Sequence, residues 1–207
     1  MVTKKYGGFS LSGEYKKCFS FIKESKNFIY VAILLFLIFS VIAFFFKDLI
    51  NSFFISTFKI NLNENIFNFV EHILKKTEGM DSRQLIGFIF TNNVQSSFLG
   101  MMLGIAFGLF PLMALVINGY LLGFVANVSV KTEGIFVLWR ILPHGIFELP
   151  AVLISLGLGF RLGSTLFRRN SSFRFDFFNS LRVFLLIILP LLIIAAIIEG
   201  FLMIFLS

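Results

Sequence analysis

The sequence predicts an all-α, polytopic transmembrane helical bundle of about five spans, with an external amphipathic helix and one broken helix. Three features support this fold class: of 207 residues, 57% are hydrophobic, only 14% are charged, and 31 are phenylalanine. Ordinary soluble domains carry about 25% charged residues. With a mean hydropathy of +0.92, the chain has more apolar surface than a soluble domain of this size can bury. These features exclude a cytosolic enzyme domain, a disordered chain and a disulfide scaffold.

The first 27 residues predict a basic cytoplasmic segment. They contain six lysines and two glutamates, and apolar residues recur at helical spacing from Tyr15 to Ile22, which indicates a short helix in the membrane plane. Residues 28–46 carry no charge and form a helix of about 28 Å, which matches the hydrocarbon thickness. No small-residue cleavage site follows, so we interpret this run as a retained first span rather than a signal peptide.

Residues 47–84 carry five positive and five negative charges. Within them, segment 51–77 places apolar side chains on one helical face and Asn, Glu and Lys on the other. This pattern predicts an external amphipathic helix that lies on the membrane or caps the bundle.

Four further spans follow. The apolar region 85–130 is about 69 Å long as a helix, too long for one span, and Pro111 divides it. The predicted further spans are 85–109, 111–129, 135–160 and 183–205. Together with the first span and the amphipathic segment, they make residues 28–207 a single transmembrane domain that follows segment 1–27.

The loop charges predict the orientation in the cell membrane. Lysine and arginine mark the cytoplasmic side, and loop 161–182 carries five arginines against Asp176. This loop and segment 1–27 lie on the same side of a five-span bundle, so we expect a cytoplasmic N-terminus and an external C-terminus. The arginines anchor this topology, or contact anionic headgroups of the lipid bilayer; the headgroup candidates are Arg161, Arg168, Arg169 and Arg174. Because topology already requires this charge, we expect no nucleic acid partner.

Glycines recur four residues apart in the second and third predicted spans. This spacing forms a groove in which another helix approaches closely. The glycines are Gly100, Gly104, Gly108, Gly119 and Gly123. They predict either packing within the chain or the seam of a homodimer.

Spans two to five also contain polar and ionisable residues, which cost several kcal/mol in hydrocarbon and normally pair in the bundle interior. With the neighbouring glycines and prolines, the set is Asn92, Asn93, Asn118, Gly119, Arg140, Pro143, His144, Gly145, Glu148, Pro150 and Glu199. At 1.5 Å per residue, the polar members converge in one layer between the outer third and the midplane, where Arg140 and Glu199 can form an ion pair.

Pro143 lacks an N–H and frees the carbonyl of Trp139, which predicts a break and a half-helix that starts at Pro143. Such an end exposes backbone N–H groups and positive dipole inside the membrane, as transporters use for binding. Asn118 or Glu148 can instead satisfy the freed groups in a purely structural network. Both interpretations remain open from the sequence.

No catalytic, metal or cofactor site is predicted. A zinc site needs three or four ligands, and the predicted topology separates His72 and Cys18 from His144. No H-E-x-x-H, G-x-S-x-G or Walker-type motif occurs. His144 and Glu148, four residues apart, retain the spacing of an acid–base pair.

Residues 142–150, LPHGIFELP, resemble the P-H-G-I-x-E-x-P signature of the stage II sporulation protein M family. Asn92-Asn93 and Asn118-Gly119 followed by Gly123 are also similar to the family pattern, and the resemblance covers about residues 10–205. It implies a multi-spanning protein that holds partner proteins at a membrane and is not known as an enzyme. We therefore expect a membrane scaffold that recruits envelope proteins. The alternatives are a small-solute or ion transporter or channel with a polar site at His144 and Glu148, and, third, an intramembrane enzyme.

Overall fold

The structure, a computed structural model, describes residues 10–168 and 172–206, without the side chains of residues 82, 139–144 and 199–206. Within these ranges the chain is helical and has no strand, which confirms the predicted all-α class. The α-helices are α1 (Leu11–Glu24), α2 (Lys26–Phe58), α3 (Leu62–Thr77), α4 (Ser82–Met102), α5 (Leu109–Glu133), α6 (Leu138–Ser164), α7 (Phe173–Val183) and α8 (Leu189–Leu206).

Helix α6 lies at the centre of the bundle and packs against α2, α4, α5 and α8. One apolar cluster joins it to α1, α4, α7 and α8 and includes Met101 and Leu158. A second cluster joins it to α2 and α5 and includes Phe36 and Leu115. Because both clusters share α6, this helix holds the two halves of the bundle together.

The outside of the bundle is apolar. Leu34 and Phe45 on α2, for example, are 58% and 70% exposed, and a soluble monomer rarely exposes large apolar patches. Among the described residues, four helices are long and apolar enough to cross a membrane: Lys26–Phe58, Leu109–Glu133, Gly145–Ser164 and Phe173–Ile198. The predicted multi-pass transmembrane fold is thereby confirmed.

Helix α4, which falls in the second predicted span, is not among these four helices. Its middle carries Asn92, Asn93 and Gln95, which lower its hydropathy, and it packs between α6 and α8. A capping box starts it, in which the Asp81 side chain accepts a hydrogen bond of 2.8 Å from the Gln84 N–H. A membrane-spanning role for α4, and with it the fifth span, stays a prediction.

The helix that contains the first predicted span, residues 28–46, is longer than that span. Helix α2 continues past residue 46 to Phe58 and ends at Lys59, whose φ is 59°. No glycine or proline interrupts it. The charged residues Lys47 and Asp48, before which the predicted span ends, therefore do not end the helix. The predicted external segment 51–77 is therefore divided between the end of α2 and helix α3.

The second predicted span ends early, at Met102 rather than residue 109. A 3₁₀ turn at Leu103–Ile105 follows, and the chain then reverses through Phe107 and Gly108, at φ values of 57° and 73°. Left-handed backbone at Gly108 suits a residue without Cβ. Pro111 lies in the first turn of α5, where its missing N–H has no helical partner to lose.

The predicted break at Pro143 is wrong. The backbone is helical throughout Leu138–Ser164, because a proline removes only one hydrogen bond from the helix and neighbouring helices can compensate in a membrane bundle. The α-helical interruption that precedes Pro143 is the junction of α5 and α6, where Gly134 and a 3₁₀ turn at Ile135–Val137 separate the two helices.

Much of the predicted loop 161–182 is helical. Arg161 belongs to the last turns of α6, and α7 begins after Ser172, whose side chain accepts a hydrogen bond from the Phe175 N–H. Helix α7 continues through a π-helical turn at Phe184–Ile188 into α8. The fifth predicted span, 183–205, is thus the second part of one helix that starts at Phe173.

Candidate functional site

Two members of the predicted polar layer, Asn92 and Asn118, do not lie in the bundle interior. Their side chains are exposed on α4 and α5. The neighbouring Gly119 faces α2, so Asn118, about 100° further around the helix, points away from that contact. Its amide donates to the Ala114 carbonyl at 2.8 Å, which satisfies the group locally. Asn93 and Glu148 are half-buried.

The other predicted members of this layer include Gly145, which is half-buried, and Pro150, which is exposed on α6. Four side chains lie outside the described residues: Arg140, Pro143, His144 and Glu199. The Arg140–Glu199 ion pair and a ligand site at His144 therefore stay predictions.

The predicted glycine grooves lie against other helices of the same chain. A Cβ at Gly104 would lie 2.6 Å from the Gly159 Cα of α6, and one at Gly119 would lie 2.7 Å from the Phe36 carbonyl oxygen of α2. The remaining members make similar contacts, namely Gly100 and Gly108 with α6 and Gly123 with α2. These contacts support the prediction of packing within the chain, and a homodimer seam at these glycines stays a prediction.

Arg161 and Asp176 form the most buried ion pair among the described residues, with side chains 8% and 3% exposed. Arg161 Nε and Nη2 donate to Asp176 Oδ1 at 3.0 and 2.8 Å, and Nη1 donates to Ser25 Oγ at 2.8 Å. Arg168 Nη2 donates to Asp176 Oδ2 at 2.8 Å, and the Arg161 guanidinium lies 4.0 Å from the centroid of the Phe21 ring. We call these five residues the Arg161 cluster.

The Arg161 cluster joins four elements: α1, the α1–α2 junction, α6 and α7. A second link between α1 and α7 is the ion pair of Glu14 Oε2 with Arg182 Nε at 2.7 Å. The hydrogen bond from Lys17 and the charge of Arg182 hold the pKa of the Glu14 carboxyl below its usual value, despite partial desolvation. The basic N-terminal segment and region 161–182 therefore meet at one end of the bundle through ion pairs.

This geometry corrects the predicted lipid contact of Arg161, because its guanidinium is buried and bound to Asp176 and Ser25. Arg168 shares Asp176 with it, Arg174 is exposed, and Arg169 lies outside the described residues. The sequence does hold a signal for this pair. Asp176 is the single acid among five arginines, and an apolar helical pattern surrounds it.

A second charged cluster lies near the other end of α2. Lys47 is only 8% exposed. Its Nζ lies 3.1 Å from Asp48 Oδ1 and 5.0 Å from the centroid of the Phe124 ring. The Asn63 amide donates to the same carboxylate oxygen at 3.3 Å, and the Phe67 ring packs edge-on against Phe124. These contacts attach α3 to α2 and α5.

Both clusters are suited to holding helices rather than to catalysis. In the Arg161 cluster, both oxygens of the carboxylate accept from guanidinium groups of the same chain, so this side chain is engaged in contacts between helices. Among the described residues, no group of three His, Cys, Asp or Glu side chains is placed to hold a metal ion.

Cys18 on α1 is expected to react slowly with maleimides in the folded protein. Its side chain is 1% exposed, and burial raises the pKa of the thiol, so little reactive thiolate forms. We expect modification, followed by mass spectrometry in detergent, only after denaturation. Ser20→Cys, at an exposed position of the same helix, is the control that should react at once. Rapid labelling of Cys18 would contradict the packing of α1 against α7.

Comparison with known proteins gives the family. Residues 29–203 match the family model described as Stage II sporulation protein M. An uncharacterized protein of Methanocaldococcus jannaschii is 33% identical over 150 residues, which cover 67% of this chain and 66% of the relative. A second uncharacterized protein of that organism is 40% identical over 76 residues, which cover 36% of this chain and 43% of the relative.

The chain thus spans less than two thirds of the length of each of these curated relatives. No solved structure matches it. The family model, in contrast, covers most of the chain, and residues 142–150 lie within the matched range. The chain is a membrane protein that belongs to the stage II sporulation protein M family.

Proposed function

We propose that this chain is a non-enzymatic scaffold that recruits partner proteins at the cell envelope, with its N-terminus in the cytoplasm and its C-terminus outside. The observation that carries this proposal is α3, an amphipathic helix that is firmly attached to the bundle and yet has no buried residue. Phe67 packs against Phe124 of α5, whereas Phe69, Ile73 and Leu74 are exposed and available to something other than the chain itself.

Besides the contact of Phe67 with Phe124, the attachment of α3 is polar and directional. The Asn61 side chain caps its first turn through the Glu64 N–H, and the Asn51 side chain of α2 accepts from the Asn63 N–H at 3.1 Å. These contacts and the packing of Phe67 against Phe124 fix the position of the helix and leave several of its apolar side chains exposed. The exposed ones are Phe67, Phe69, Ile73 and Leu74.

Exposed apolar side chains on a fixed helix suit recognition of another protein at the membrane surface. The opposite face supplies solubility, since Glu71 and Lys75 pair there in solvent. The proposed orientation follows from the lysines and arginines of α1 and of the α6–α7 region, which mark the cytoplasmic end. It places α3 outside the cell.

Photo-crosslinking in native membranes tests the scaffold function. A benzophenone amino acid at Phe69 or Leu74 is expected to give a discrete protein adduct, because these side chains face the partner. The same probe at Leu34, a lipid-exposed position of α2, is expected to give only lipid adducts. In the same membranes, Asn68→Cys should react with an impermeant maleimide added outside the cells.

Lipid adducts alone at all three probe positions would contradict partner recruitment through α3. They would leave α3 as a helix that only rests on the bilayer. Labelling of Asn68→Cys from the cytoplasmic side alone would contradict the proposed orientation.

A further inference from the structure

A groove of about 570 Å³ lies between α1 and α7, at the end of the bundle that holds the Arg161 cluster. Its lining alternates cationic and aromatic side chains: Lys17, Arg174, Arg182, Phe21, Phe175 and Phe178. Helix α7 is also the start of the apolar segment Phe173–Ile198. The groove therefore lies at one end of a segment that is long and apolar enough to cross a membrane, and headgroups flank the hydrocarbon at such an end.

The charge of the groove is positive. Glu24 is the acidic residue in its lining, and its carboxylate turns towards Arg161, at 3.5 Å from Nη2. Glu14 holds Lys17 and Arg182, at 2.6 and 2.7 Å. Arg174 is different, because it stacks near the Phe178 ring, at 5.8 Å, and pairs with no carboxylate among the described residues. It is an exposed guanidinium without a counter-ion from this part of the chain.

The aromatic side chains complete an amphipathic site. Phe21 and Phe175 pack edge-to-face with centroids 6.1 Å apart, and Phe175 and Phe178 are 55% and 53% exposed. A small free anion would contact the cations and leave these rings in water. A ligand with a phosphate and an attached apolar body would contact both parts of the groove.

We propose that the groove between α1 and α7 binds one acidic phospholipid, whose phosphate pairs with Arg174 and whose glycerol and upper acyl chains cover Phe175 and Phe178. Arginine suits this role because its planar fork forms paired hydrogen bonds to phosphate. Lys17 and Arg182 add positive charge at the rim, which Glu14 partly neutralises. The site is independent of α3 and of the proposed scaffold function, which it neither requires nor supports.

Native mass spectrometry of the full chain in mild detergent tests this site, with phosphatidylglycerol and phosphatidylcholine as probes. We expect preferential binding of phosphatidylglycerol, and a roughly tenfold weaker affinity in Arg174→Gln, which removes one charge-assisted contact. Arg83→Gln, an exposed arginine at the start of α4, is the matched control and should bind as the wild type does. Glu14→Gln should bind phosphatidylglycerol more tightly, because it releases Lys17 and Arg182.

Three results would overturn the proposal. One is equal affinity for the two lipids, and another is an equal effect of Arg83→Gln and Arg174→Gln. The third is displacement of phosphatidylglycerol by inorganic phosphate at a similar concentration, which would assign the groove to a soluble anion. Opposite effects of Arg174→Gln and Glu14→Gln support the site even where one variant folds poorly, since a loss of folding would lower binding in both.

Discussion

Asp176→Leu is expected to lower the free energy of unfolding by about 3–5 kcal/mol, the range for breaking one side of a buried ion pair. Arg161 would remain enclosed, with Ser25 and the more distant Glu24 as its polar partners. Its charge would lose the carboxylate that compensates its desolvation. The measurement is reversible unfolding of the detergent-solubilised protein by sodium dodecyl sulfate, followed by circular dichroism.

The double variant Arg161→Met with Asp176→Leu separates charge from packing. Both charges are then absent, and apolar side chains fill the site, so most of the lost stability should return. Glu71→Gln is the control, because both side chains of its pair with Lys75 are exposed. This variant should leave the free energy of unfolding unchanged within experimental error. A double variant no more stable than Asp176→Leu would contradict the role of the buried pair.

Gly104→Ala is expected to lower the free energy of unfolding by about 1–3 kcal/mol, the usual effect of overpacking. The new methyl group would meet the Gly159 backbone, including its Cα at 2.6 Å. Backbone has no rotamer with which to give way, so the turn after α4 must move away from α6. The same unfolding experiment measures the effect.

Gly87→Ala provides the matched comparison. No atom lies within 4 Å of a Cβ at this position, and alanine favours a helix over glycine by about 1 kcal/mol. Its stability should therefore be unchanged or higher. If Gly104→Ala left stability intact and instead reduced the oligomeric mass by light scattering, the contact within the chain would be contradicted and a dimer seam supported.

The helices themselves were predictable from the sequence. Uncharged runs such as residues 28–46 can avoid exposing backbone polar groups in hydrocarbon only as helices, and their lengths match the membrane. The LPHGIFELP motif predicts the family for a different reason, since it is a match of residues rather than a consequence of physics. Helix ends were less predictable, because charge marks the membrane boundary and not the end of hydrogen bonding. Helix α2 therefore continues through Lys47 and Asp48 to Phe58.

The candidate sites depend on contacts between distant parts of the chain. Arg161 and Ser25 are 136 residues apart, and no local pattern indicates that they meet. The charge rule that predicts orientation treats every arginine as a surface group, so it assigned Arg161 to the lipid headgroups. The glycine spacing predicted a close helix contact at Gly104 and Gly119. The same spacing allows a contact with a helix of the same chain or with a helix of a second copy. Only the fold identifies the neighbouring helix.

The π-helical turn at Phe184–Ile188 sets the angular phase of the last helix. The buried side chains of the continuous helix that starts at Phe173 include one series spaced by four residues: Asp176, Ser180, Phe184, Ile188, Leu192 and Ala196. In a regular α-helix each such step turns by about 40°, so five steps would carry the last residue to about the opposite face. The wider turn takes back part of this rotation. Removal of one residue there would rotate Asp176 against Leu192 by about 100°. The length of this segment therefore determines whether the helix can pair its charge with Arg161 and bury its apolar residues at the same time.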